Sequence, residues 1–198
     1  VDALSADPFQ LLAGLDQVSQ NKPPPIHLWH PEQRKDIDME IRRDGTWYYL
    51  GTPIRRNRLV RLFSTVLRRE GDDFYLVTPV EQCRIRVEDV PFQAVLLSAD
   101  GSPDQHQLVF TTNVADEVTL DADHPLRLNV SEDGEPSPYV MVRDGLEAKL
   151  NRNVWYQLAD LLESRQYQGE EFLGVVSCGQ FFPLCSATAL ASSPSPGQ

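Results

Sequence analysis

Ile37-Asp38-Met39-Glu40-Ile41-Arg42-Arg43-Asp44-Gly45-Thr46-Trp47-Tyr48-Tyr49-Leu50 is the stretch that decides how this chain folds. Ile37, Met39 and Ile41 alternate with Asp38, Glu40 and Arg42, the period of a strand buried on one face. Asp44-Gly45 then supplies turn chemistry before a second strand over 47–50, so the stretch reads as a β-hairpin. Pro53-Ile54 follow, and Leu59, Leu62, Phe63 and Val66 recur at helical spacing. That stripe predicts a helix ending near Arg68-Arg69-Glu70-Gly71, with positive charge toward the negative end of the helix dipole.

A hundred residues on, the same order returns. Tyr139-Val140-Met141-Val142 lead into Arg143-Asp144-Gly145, and Val154, Leu158, Leu161 and Leu162 make the stripe of a helix predicted over 151–166. Aligning Arg43-Asp44-Gly45 on Arg143-Asp144-Gly145 also sets Leu50 on Leu150 and Ile54 on Val154. A slip of one residue then matches Leu59 with Leu158 and Leu62 with Leu161. An internal duplication explains this, with independent convergence of two hairpin-plus-helix units as the alternative.

Strands are predicted after each helix, over 74–78 and 83–87 and again over 172–176 and 180–184, with four more between the units over 94–97, 107–111, 117–120 and 126–130. Short, mostly antiparallel strands with one helix per unit packed on a sheet define an α+β protein of two related domains. The expected organisation is an N-terminal helix and linker over 1–22, an α+β domain over 23–92, a second over 93–186 and a frayed tail over 187–198. Asp7 to Val18 carries the stripe of that first helix, and Lys22-Pro23-Pro24-Pro25 ends it in an extended connector.

Composition excludes several classes. With 198 residues, 41% hydrophobic and 24% charged, the chain can bury a core and does not read as disordered. No apolar run reaches the ~18 residues of a membrane span, and the N-terminus has no basic segment before an apolar stretch. A cytoplasmic protein is expected. The net charge of −11 opposes attraction to phosphate backbones and anionic lipid, so neither nucleic acid nor membrane is expected as partner. Cys83, Cys178 and Cys185, an odd number without C-x-x-C spacing, read as buried thiols of a reducing compartment, with a redox pair of Cys178 and Cys185, seven residues apart, as the alternative.

Motifs for chemistry are sparse. His27 and His30 stand at i, i+3 spacing after prolines with no third ligand nearby. Gly174-Val175-Val176-Ser177-Cys178-Gly179 has one residue too many for a nucleophile elbow, and neither a Walker A loop nor a G-x-G-x-x-G fingerprint occurs, so no cofactor, metal or catalytic residue is assigned. Charge is segregated: residues 34–86 carry a balance of +4 and residues 87–198 one of −12. The densest cationic feature, Thr52-Pro53-Ile54-Arg55-Arg56-Asn57-Arg58 with Arg61 one turn later, sits where the first helix begins. Helix N-terminal amides and guanidinium forks together suit an anion there. Arg152, between Asn151 and Asn153, holds the equivalent place in the second unit.

Residues 24–92, from Pro-Pro-Ile-His-Leu-Trp-His through Arg-Arg-Asp-Gly-Thr-Trp to Glu-Asp-Val-Pro-Phe, resemble the bacterial family called domain of unknown function 1285. Glu147-Ala148-Lys149-Leu150-Asn151-Arg152-Asn153-Val154-Trp155 and the later Gly174-Val175-Val176-Ser177-Cys178-Gly179-Gln180-Phe181-Phe182 resemble its C-terminal portion. The resemblance implies a duplicated α+β core, a C-terminal domain similar to pleckstrin-homology-like folds, a nucleotide-like ligand site between the domains and a signalling role. It supplies no catalytic residues.

The expected function is therefore a non-catalytic sensor of an anionic, nucleotide-like small molecule. Arg56, Arg58 and Arg152 would hold its anionic groups, and Trp47, Tyr49 or Trp155 would stack on a base. Two rivals stand beside it: a module that binds a peptide or partner protein in signalling, and a hydrolase of an anionic substrate using Glu81 or Asp89.

Overall fold

The computed structural model describes residues 24–101, 106–131 and 134–186. The predicted helix over 7–18, the first part of the proline connector and the tail over 187–198 lie outside the described residues. The chain divides into two units, Val1–Pro91 and Phe92–Gln198, against an expected division after residue 92.

In the first unit, Pro24 and Pro25 lead into a 3-10 turn over Ile26–Leu28. The predicted hairpin follows as β1 (Gln33–Ile41) and β2 (Trp47–Tyr49), paired antiparallel with Ile41 opposite Trp47. Its tip needs left-handed backbone, and Asp44 and Gly45 supply it at φ 45° and 80°. After β3 (Thr52–Pro53) come α1 (Asn57–Thr65), β4 (Leu67–Glu70), β5 (Asp73–Val77) and β6 (Glu81–Val87). The strands form one sheet in the order β3-β2-β1-β6-β5-β4. Only β1 and β6 run parallel in it, because the chain between them crosses back through α1 and the β4–β5–β6 meander.

The core of this unit is what the hairpin's alternation promised. Ile37, Met39, Ile41 and Trp47 are buried with Phe63, Leu67, Leu76 and Ile85. Trp47 and Phe63 stack, ring centroids 6.1 Å apart and planes 16° from parallel, which fastens α1 to the sheet.

Both predicted helices are too long. α1 stops at Thr65, Val66 caps it, and Leu67 already pairs with Leu76 in the sheet, so Arg68 and Arg69 belong to a strand rather than to a helix end. Arg68 instead donates to the carbonyls of Ile26 and Trp29 at 3.3 and 2.9 Å and to Gln82 Oε1 at 3.1 Å. The apolar spacing runs unbroken through the cap, and the strand pairing beyond it is a tertiary choice that periodicity alone does not carry.

The second unit builds a six-stranded sheet, β10-β11-β12-β7-β8-β9, from β7 (Phe92–Asp100), β8 (Gln107–Thr112), β9 (Glu117–Thr119), β10 (Leu126–Val130), β11 (Pro136–Arg143) and β12 (Leu146–Leu150). Arg143 pairs with Leu146 across Asp144 and Gly145, whose φ of 45° and 77° nearly repeat those of the first hairpin. α2 (Arg152–Ala159) follows, then β13 (Glu163–Tyr167), β14 (Glu170–Ser177) and β15 (Gln180–Ser186) as a three-stranded antiparallel sheet. Leu161 and Leu162 thus lie beyond the helix predicted over 151–166.

The order hairpin, helix, three-stranded meander therefore occurs in both units, as the duplication requires. The sheets close differently: β6 joins β1 in the first unit, whereas β12 takes β7 as its parallel neighbour in the second. The architecture is α+β with two units of mixed, mainly antiparallel sheets. Among the described residues no helix is long and apolar enough to cross a membrane.

Candidate functional site

The start of α1 is set by the β2–β3 turn. Leu50 and Gly51 take φ of 49° and 73°, Tyr49 pairs with Thr52, and the amide of Ile54 donates to the carbonyl of Trp47 at 2.8 Å. This brings the chain to Arg56, the N-cap, whose carbonyl accepts from the amides of Leu59 and Val60. Arg56 has no side-chain oxygen to offer, so no side-chain cap forms, and the first turn contains no acidic residue. Arg55, Arg56, Arg58 and Arg61 are all exposed there, while Phe63 on the opposite face is buried.

No carboxylate among the described residues pairs with Arg55, Arg56, Arg58 or Arg61. Elsewhere in the unit, Arg34, Arg42, Arg68, Arg69, Arg84 and Arg86 each meet one within 4 Å. Four cations within seven residues repel one another, and the positive end of the helix dipole adds to that repulsion.

Of the aromatic residues expected beside this cluster, Trp47 is committed elsewhere. It is only 1% exposed and packed on Phe63, so its ring cannot stack on a ligand; burial follows from its place opposite Ile41 on the core face. Tyr49, two residues along the same strand, is half-buried. Tyr48, on the other face, lies under the guanidinium of Arg42 at 3.7 Å.

In the second unit Arg152 is the exposed first residue of α2 and Trp155 is half-buried one turn on. This helix differs from α1 in being capped: Asn151 Oδ1 accepts from the amide of Val154 at 2.8 Å. Arg56 and Arg58 thus share one helix start, and Arg152 and Trp155 share another in the other unit.

A second polar constellation, on β1 and β6, went unread in the sequence. The β1–β6 register slips between Asp36 and Glu40, so that Asp36 faces Arg84 and Glu40 faces Arg86 with three residues of β1 between them. Arg84 donates to both oxygens of Asp36 at 2.8 and 3.3 Å, and Arg86 to Asp38 and Glu40 at 2.9 and 3.2 Å. The bonds from Arg42 and Arg86 hold the Glu40 carboxyl below its ordinary range. The alternation of acids at 36, 38 and 40 with bases at 84 and 86 was the available signal.

Two thirds of the cysteine reading changes. Cys83 is buried, and burial pushes its thiol up to about 12, but Cys185 is half-buried and Cys178 is exposed at the β14–β15 turn. Cys178 takes φ 52° because a two-residue loop between Ser177 and Gln180 demands left-handed backbone.

Comparison with known proteins bears on the family. Residues 24–90 match the model described as domain of unknown function (DUF1285), N-terminal domain, and residues 91–184 match protein of unknown function (DUF1285), C-terminal domain. A crystal structure of a DUF1285 family protein from Silicibacter pomeroyi DSS-3 is similar at 47% identity and a TM-score of 0.81, covering 91% of this chain and 97% of that one. Another, from Shewanella baltica OS155, is similar at 28% identity and a TM-score of 0.51 over 62% of this chain and 90% of that one. No curated protein matches the chain. On both domain matches and the near full-length likeness in structure, the chain belongs to the DUF1285 family.

Proposed function

We propose that this protein is a non-catalytic binder of a small anionic, nucleotide-like molecule, held at the start of α1 by Arg56 and Arg58 with Arg55 and Arg61 beside them. The observation that supports this reading is the set of four exposed guanidiniums without carboxylate partners among the described residues, at an uncapped helix start. A cation at the N-cap or first turn of a helix, as Arg56 and Arg58 are, opposes stability by about 0.3–1 kcal/mol at low ionic strength. A bound phosphate reverses that sign and accepts from amides and guanidinium forks together. Tyr49 is the aromatic neighbour proposed for a base, Arg152 and Trp155 are a separate candidate in the second unit, and a signalling role completes the proposal.

Thermal melting against pyrophosphate and nucleoside di- and triphosphates tests it. Ligand at 100 times its dissociation constant adds about 2.7 kcal/mol, an upward shift of about 5–10 °C at this size. The shift should vanish in Arg56→Ala/Arg58→Ala while that variant's own melting point is unchanged or higher. A flat panel refutes the reading.

Strand β13 favours a second reading, peptide addition in signalling. It is the outer strand of its sheet and is exposed along its whole length. An extended peptide bound there would slow amide exchange over 163–167, and unchanged exchange with a captured partner present would refute this reading.

A further inference from the structure

β7 outruns its partner on one side of the sheet. β12 pairs with it only over 92–94; the amide of Asn151 then donates to the carbonyl of Ala94 at 3.1 Å, and the chain turns into α2. β8 continues on the other side through Asp100, its register slipping once between Ala94 and Leu96. Residues 96–100 are thus a strand edge with β8 on one side only, and alternate residues turn both N–H and C=O away from β8. Among the described residues no other backbone bond reaches 95–100.

The edge is open and unguarded. Leu96 is 62% exposed, and Ser98, Ala99 and Asp100 are exposed beyond it. Leu97 and Ala99 stand opposite Phe110 and Leu108, on the face that those two bury, so Leu96 and Ser98 lie on the outer face. Folded proteins keep outer strands from pairing indiscriminately by shortness, proline or charge. The outer strands here follow that rule: β3 and β9 are two and three residues long, β15 contains Pro183, and β4, β10 and β13 carry Arg or Glu. The run Val95-Leu96-Leu97-Ser98-Ala99 has none of these devices.

A backbone edge is complementary to another extended backbone, and charge decides which. A second copy is disfavoured on two counts. A strand edge this short buries far less than the ~1,000 Å² of a stable interface. The second unit also carries 15 acidic against 5 basic side chains, so two copies repel. The same surplus, with Asp100 on the edge itself, attracts a cation. We propose that 96–100 docks an extended peptide, apolar at alternate positions and basic at the end that meets Asp100, which adds to the sheet in the place β12 vacates. This edge uses no residue of the arginine cluster or of β13.

Amide exchange of the full chain, read by mass spectrometry at about 10 mM salt where exposed charges are little screened, is the test. The probe is the peptide Lys-Val-Thr-Val-Thr-Val-Lys, acetylated and amidated, whose two lysines set a cation beside Asp100 in either direction. At about 1 mM it should slow exchange over 95–100 at least about threefold and leave 163–167 unchanged. The slowing should vanish when the central valine of the peptide is replaced by proline, which cannot continue a ladder. It should vanish too in Leu96→Lys/Ser98→Lys, whose exposed side chains can change without unfolding the protein and whose new charges repel the probe. The same peptide with glutamate in place of lysine should slow exchange less. Unchanged exchange over 95–100, slowing confined to 163–167, equal slowing by the proline or glutamate peptide, equal slowing in the double variant, or protection that rises with protein concentration in the absence of peptide would each overturn the proposal.

Discussion

Replacing Phe63 by Ala removes the side chain that fastens α1, and with it the arginine cluster, to the first sheet. Phe63 is completely buried and stacked on Trp47, so the change loses the transfer energy of a ring, the stacking contact and the packing around the space left behind. Together these cost about 3–5 kcal/mol. With a urea slope of about 2 kcal/mol per molar, the unfolding midpoint of the transition that involves this unit falls by about 1.5–2.5 M. Phe63→Leu keeps most of the volume and should cost about 1–1.5 kcal/mol, a midpoint drop of about 0.5–0.8 M, which keeps the comparison measurable if the alanine variant does not fold. Urea melts followed by far-ultraviolet circular dichroism read both. A loss below about 1 kcal/mol for the alanine variant at unchanged slope would refute the claim that Phe63 anchors the helix.

Gly174→Ala should destabilise the second unit by at least about 1–3 kcal/mol, because a Cβ there would sit 2.2 Å from the carbonyl oxygen of Phe182 and 2.7 Å from the Phe181 ring; a neutral urea melt would contradict the packing. In the native protein a thiol reagent should label Cys178 first, while Cys83, buried and raised to about 12, reacts only on unfolding; prompt labelling of Cys83 would contradict its burial. Glu40 is held below its ordinary value of 4.5 by bonds from Arg42 and Arg86, so its contribution to stability is complete above that pH and lost as pH falls through the lowered value. Glu40→Gln should therefore lower stability at pH 7 and differ progressively less from the unmodified chain below about pH 4.5; a constant difference down to pH 2 would contradict this.

The hairpins were legible because two signals agreed in each: period-two burial, as in Ile37, Met39 and Ile41, and an Asp-Gly pair able to take left-handed backbone. The helix ends were not. At Val66-Leu67 and Leu161-Leu162 the apolar spacing continues past the last helical turn; in the first unit, pairing with the next strand, Leu67 with Leu76, overrides it. Arg-Asp-Gly revealed the duplicated order of elements but not that the sheets close on different neighbours, since the parallel partners of β1 and β12 are set by segments 40 or more residues away.

Within the candidate site, the clustering of Arg55, Arg56, Arg58 and Arg61 is contiguous and so was readable directly. Their lack of carboxylate partners among the described residues was not, because acids of this unit such as those at 36, 38, 40, 70 and 81 were equally available on paper and turn out to serve Arg84, Arg86, Arg42, Arg68 and Lys35. Trp47 was misassigned for a related reason: aromatic residues suit both a core and a stacking platform, and only its register opposite Ile41 decides which.

The measurement that bears most directly on the account is calorimetric titration of pyrophosphate into the full chain and into Arg56→Ala/Arg58→Ala. The account predicts one-to-one binding that weakens as salt is raised and falls at least tenfold in the double variant. Equal binding by the two proteins, or none by either, would contradict the assignment of an anion site to the start of α1.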